Sequence, residues 1–99
     1  MLIEILYFDG CPNLQPTVDL TREILDELGL RAELREVAVE TPDDAQALRF
    51  VGSPSIRVDG LDIDPAVREL TDFALSCRMY GNEGAPPKKL LIDALREVS

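Results

Sequence analysis

Leu2 to Phe8 (LIEILYF) is an apolar run broken only by Glu4, the pattern of a strand covered on both faces. It ends at Asp9-Gly10, and Cys11-Pro12 follows. Leu14, Val18, Leu25 and Leu28 then recur near helical spacing, Leu20 and Ile24 widen the stripe, and Gly29 marks the stop. Residues 32–39 (AELREVAV) alternate and predict a second strand. Thr41-Pro42-Asp43-Asp44 predicts a helix start, with Thr41 as cap, Pro42 in the first position and the acids at the positive end of the helix dipole. That short helix closes at Phe50, before Val51-Gly52-Ser53-Pro54. Asp59-Gly60 between Ser55–Val58 and Leu61–Ile63 is the strongest hairpin signal in the chain. Asp64-Pro65 predicts another cap, and Ala66, Val67, Leu70, Phe73 and Ala74 extend a helix over 65–76. Residues 77–80 (CRMY) suit a strand or a loop, 81–87 form a turn-rich linker, and Leu90, Leu91, Ala94, Leu95 and Val98 mark a last amphipathic helix.

The order βαβα, then a ββ hairpin, then α, predicts an α/β fold. The β-α-β unit gives a parallel pair with a right-handed crossover, the hairpin adds antiparallel strands, and helices cover both faces of a small mixed sheet. With 99 residues, 45% hydrophobic and 29% charged, the chain reads as one folded domain over residues 1–99. No stretch has the ~18 apolar residues of a membrane span. The start, Met1-Leu2-Ile3-Glu4-Ile5, has neither the basic segment nor the small-residue cleavage site of a secretory leader, which points to the cytoplasm.

Nineteen acids against ten bases give a net charge of −9. That leaves no basic stripe to displace counterions from a nucleic acid and disfavours adhesion to anionic lipid. Histidine is absent, so imidazole bases, His metal ligands and Cys–His pairs drop out together. No cofactor motif and no metal-ligand spacing is present. Asp43-Asp44 and Asp62…Asp64 read as helix-start and turn chemistry. Lys88 and Lys89 read as a small basic spot on a solvated helix face.

Two cysteines remain, Cys11 and Cys77. A thiol at a helix N-terminus meets unpaired N–H groups and partial positive charge, which favours the thiolate. Pro16 decides how close Cys11 comes to that position. A helix beginning at Pro12 puts Pro16 against the carbonyl of Pro12, whereas an Asn13 cap leaves Pro16 harmless and Cys11 ahead of the first turn. Asp9 stands two residues away and opposes the thiolate. For Cys77, a helix over 65–76 would carry the chain about 18 Å from the end of the fourth strand. A loop there leaves the proximity of the two thiols open.

Cys11-Pro12 at the junction of strand one and helix one, with Ser53-Pro54 opening the third strand, resembles the thioredoxin/glutaredoxin superfamily. The similarity is to small bacterial and archaeal thioredoxin-like redox proteins, through Ile3-Glu4-Ile5-Leu6…Cys11-Pro12, Glu27-Leu28-Gly29-Leu30 and Gly52-Ser53-Pro54. It covers residues 1–64 and fades over 65–99. It implies a thioredoxin-like three-layer sandwich with an altered C-terminal third. It also implies that Cys11 attacks, that Pro54 is a cis-proline, and that Pro12, Ser53 and Pro54 form the substrate groove. The Ser53 backbone would pair with a substrate peptide. The implied activity is thiol-disulfide exchange with a protein or small-molecule thiol or disulfide, without a cofactor.

The chain departs from that family at definite places. Leu14 stands where the second cysteine would, so Cys77 is the candidate resolving thiol. Asp9 stands where glutaredoxins carry a lysine, and the Gly-Gly-x-Asp pattern that holds glutathione is missing. Two other readings follow from these departures. One is a peptide-binding module without redox chemistry, and the other is capture of a thiophilic metal ion by both cysteines.

Overall fold

The computed structural model describes residues 1–70, 73, 78, 80 and 85–98. Among these residues are the strands and α-helices β1 (Leu2–Tyr7), α1 (Leu14–Leu28), β2 (Glu33–Ala38), α2 (Pro42–Ala47), β3 (Ser55–Val58), β4 (Leu61–Asp62) and α3 (Lys88–Val98). The strands form one mixed sheet in the order β2-β1-β3-β4. β1 and β2 run parallel, with Ile3 beside Leu34 and Ile5 beside Glu36, as the β-α-β pattern requires. β3 is antiparallel to β1, with Ile5 opposite Ile56, and β4 returns along β3 with Asp62 opposite Arg57.

Local chemistry accounts for most of the boundaries. Gly29 is left-handed at φ 65°, and the Leu30 N–H reaches back to the Leu25 carbonyl at 3.0 Å, closing α1 as a C-terminal glycine does. Thr41 caps α2 by accepting from the Asp44 N–H at 3.1 Å. Asp59 and Gly60 both have positive φ, the requirement of a tight two-residue hairpin. The Asp59 side chain also accepts from the Leu2 N–H at 2.7 Å, which ties the hairpin to the start of β1.

The sheet is apolar on both faces. On one, Ile3, Ile5, Ile56 and Val58 pack with Val18, Ile24 and Leu25 of α1 and with Leu91, Ala94 and Leu95 of α3. On the other, Leu6 packs with Val39, Ala45 of α2 and Phe50. Each Val, Leu, Ile or Phe side chain among these contributes roughly 1.5–3 kcal/mol when removed from water. β2 is an edge strand whose partly buried Leu34 and Val37 turn to opposite faces.

One element differs from expectation. Where the described residues fall in the helix predicted over 65–76, they form a single 3₁₀ turn, Pro65–Val67, and a further turn before Leu70, and Phe73 is assigned to neither helix nor strand; residues 71, 72 and 74–76 lie outside the described residues. The bonds Val67 N–H to Asp64 O and Arg68 N–H to Pro65 O span three residues rather than four. The stripe that suggested the helix is only partly covered, since Leu70 is 46% exposed and Ala66 faces solvent while Val67 and Phe73 are half-buried. Helix formation in proteins depends on burying such a stripe.

Candidate functional site

Cys11 lies just past the carboxyl end of β1, in the turn that leads to α1. Its N–H donates to the Phe8 carbonyl at 3.2 Å, and its own carbonyl accepts from Leu14 at 3.4 Å. Of the two positions that Pro16 allowed, the structure has the second. Asn13 is the cap, α1 begins at Leu14, and Pro16 occupies the third helical position, where it displaces no hydrogen bond. Cys11 therefore precedes the first turn by two residues. It is a free thiol, partly exposed, with Pro12 exposed beside it. The neighbouring surface is a shallow depression lined by Tyr7, Phe8, Asp9, Ala38, Val39 and Glu40. It opens at the adjoining carboxyl ends of the parallel strands β1 and β2.

The Gly52-Ser53-Pro54 loop closes the other side of this turn. The Ser53 hydroxyl accepts from the Phe8 N–H at 3.3 Å, so the loop and the end of β1 are joined directly. The Ser53–Pro54 peptide bond is cis. Cys11, Pro12, Ser53 and Pro54 thus share one end of the sheet. Cys77, the fifth residue singled out, lies outside the described residues.

Ser53 and Pro54 are buried, and their main-chain oxygens are taken. The Ser53 carbonyl accepts from the Arg78 N–H at 2.9 Å, and the Pro54 carbonyl accepts from the Tyr80 hydroxyl at 2.6 Å. The Ser53 carbonyl, one of the two backbone groups that the resemblance offers to a substrate peptide, therefore already has a partner in this chain. Gly52 is fitted to the same contact. It has φ 130°, and a Cβ there would stand 2.8 Å from the Arg78 Cβ and 3.1 Å from its Cα.

Arg78 is the residue that sequence reasoning passed over. Its guanidinium meets Asp62 through two bonds, Nη1 to Oδ2 at 2.7 Å and Nη2 to Oδ1 at 2.9 Å, and Nη1 also donates to the Ser55 hydroxyl at 3.2 Å. Both side chains are nearly buried, at 6% and 7% exposure. Burial is the largest influence and opposes the Arg78 charge, but the hydrogen bonds to Asp62 together with the charges of Tyr80, Asp62 and Asp64 hold the guanidinium above its ordinary pKa. The Tyr80 ring stacks on Arg78 with its centroid 4.4 Å from the guanidinium carbon. Burial pushes the Tyr80 phenol up; the Arg78 charge opposes this, and Asp62 and Asp64 add to it. Asp62 also keeps the turn role expected of it, since Oδ1 accepts from the Asp64 N–H at 2.9 Å.

No protein-family model matches the chain, and no curated protein matches it. Among the described residues, no three His, Cys, Asp or Glu side chains stand close enough to hold a metal ion. Among them too, no helix is long and apolar enough to cross a membrane.

Proposed function

We propose that this chain is a thioredoxin-like thiol-disulfide oxidoreductase in which Cys11 is the attacking thiol. The observation that carries the reading is the placement of a free, partly exposed thiol between the end of β1 and α1, three residues after Phe8, whose N–H is bonded to the Ser53 hydroxyl. The parallel β1–β2 pair and antiparallel β3 and β4, in the order β2-β1-β3-β4, support a thioredoxin-like arrangement. In the reaction the Cys11 thiolate attacks one sulfur of a disulfide. A new S–S bond forms to Cys11, the old one breaks, and the departing thiolate takes up a proton. A second thiol then resolves the mixed disulfide: an internal one attacks the Cys11 sulfur, bonds to it and expels the bound half as a thiol, whereas an external one attacks the bound half's sulfur, forms a disulfide with it and frees Cys11. Cys77 is the internal candidate, because Arg78, its neighbour in sequence, is bonded to Ser53. An external thiol is the alternative.

The test is exchange with hydroxyethyl disulfide, followed by intact mass and peptide mapping. The wild type should lose the adduct as a Cys11–Cys77 bond appears. Cys77→Ser should retain a mercaptoethanol adduct on Cys11, and Cys11→Ser should form none. Failure of Cys11 to exchange would overturn the reading. Exchange without a Cys11–Cys77 bond would assign the second step to an external thiol.

A further inference from the structure

We propose that Arg78 and Tyr80 occupy the edge through which a polypeptide would be held at Cys11. The site then accepts low-molecular-weight disulfides and admits an extended peptide only when the Arg78–Asp62 clamp opens. This rests on the reading of Cys11 as the attacking thiol.

A peptide added as a strand gains its affinity from main-chain hydrogen bonds to an open edge. Beside Cys11 that edge is the Gly52-Ser53-Pro54 loop. Its Ser53 and Pro54 carbonyls already accept from Arg78 and Tyr80 at 2.9 and 2.6 Å. Arg78 imitates a bound strand in one further respect, because its backbone approaches Gly52 so closely that no Cβ fits between them. Side chains lock the contact from the far side. Asp62 and Ser55 lie on the same sheet face as Leu6, and both bind the Arg78 guanidinium. Lifting Arg78 away would leave it and Asp62 without each other, and removing one partner of a buried pair is strongly disfavoured. A competitor peptide must therefore work against an equilibrium that favours the closed edge, and its reaction is slowed by the fraction of molecules that are open. A small disulfide needs only the exposed side of Cys11 and the depression beside it, so the closed edge does not slow it.

The experiment compares exchange rates at Cys11 for hydroxyethyl disulfide and for the symmetric disulfide of an uncharged, β-prone peptide with a central cysteine. Each rate is divided by that of free mercaptoethanol with the same disulfide. Wild type should disfavour the peptide at least about tenfold, the factor for an edge open less than a tenth of the time. Asp62→Asn weakens the clamp while keeping its shape, and Tyr80→Phe removes only the bond to Pro54. In either variant the peptide rate should rise while the hydroxyethyl disulfide rate stays within about twofold. Hydrogen exchange at the Arg78 amide, measured on the same samples, should speed up in parallel. Equal relative rates for the two disulfides in wild type would overturn the closed edge while leaving the oxidoreductase reading intact. So would a variant that frees the Arg78 amide with no gain for the peptide. A Cys11 inert to both disulfides would overturn the oxidoreductase reading, and this proposal with it.

Discussion

Gly52 and Tyr80 carry more of the site than their size or position in the sequence suggests. At Gly52 two demands meet, a φ of 130° and a neighbour whose Cβ would lie 2.8 Å from an added one. Neither can relax without moving backbone, so Gly52→Ala should cost on the order of 2–3 kcal/mol in urea denaturation, more than exposed glycines lose. Tyr80 fails in a different way, through its proton. Its phenol is raised by burial and donates to Pro54, so the folded state keeps a proton that the unfolded chain gives up near pH 10. A group raised on folding supports stability fully below its unfolded pKa and loses that support as pH climbs toward the folded value. Stability should therefore fall above about pH 10, by up to ~1.4 kcal/mol per pH unit from this group. Tyr80→Phe should cost about 1 kcal/mol at pH 7 and flatten that alkaline slope. Denaturation midpoints between pH 8 and pH 11 check both parts, and an equally steep slope in the variant would assign the loss elsewhere.

At the scale of elements, the described residues Arg78 and Tyr80 after β4 are held by polar clamps. The Arg78–Asp62 pair lies between residues sixteen apart in sequence and joins Arg78 to β4. Asp62→Leu alone strands the guanidinium and should destabilise by roughly 3–5 kcal/mol, whereas Asp62→Leu with Arg78→Met should recover most of the loss. A double-mutant cycle in urea measures the coupling directly. This is also where the sequence stops being readable. The β1–α1–β2 unit, the Thr41 cap, the Gly29 stop and the Asp59-Gly60 hairpin were legible because each is decided within a few residues. Cys11 and Ser53-Pro54 were legible only through a resemblance, and it could not show that Ser53 is already engaged. The periodicity from residue 65 misled at least as far as Leu70, because spacing records where apolar residues stand, not whether a surface awaits them; Leu70 is left in solvent. Arg78 gave a faint signal, a lone cation in CRMY, but its partner lies across a long connection, and no local pattern names such a pair.

For the molecule as a whole, the net charge of −9 bears on which disulfides reach Cys11 at all. The depression beside the thiol repeats that charge locally, since Asp9 and Glu40 line it and no lysine or arginine does. Fields of this kind change encounter rates with charged reactants far more than with neutral ones. They are screened by salt, the Debye length shrinking from ~30 Å at 0.01 M to ~3 Å at 1 M. An aromatic disulfide bearing two carboxylates should thus exchange slowly with Cys11 at low ionic strength and accelerate roughly tenfold across that range. Hydroxyethyl disulfide, being neutral, should hardly respond. The local and global contributions separate by substitution. Asp9→Asn changes the net charge by one unit and should shrink the salt effect by more than that unit's share, because Asp9 lines the approach to Cys11 while most of the acids lie farther off. Stopped-flow rates for both disulfides over the salt series decide the matter. A dianion whose rate ignores salt would mean that Cys11 is approached from a side these carboxylates do not face.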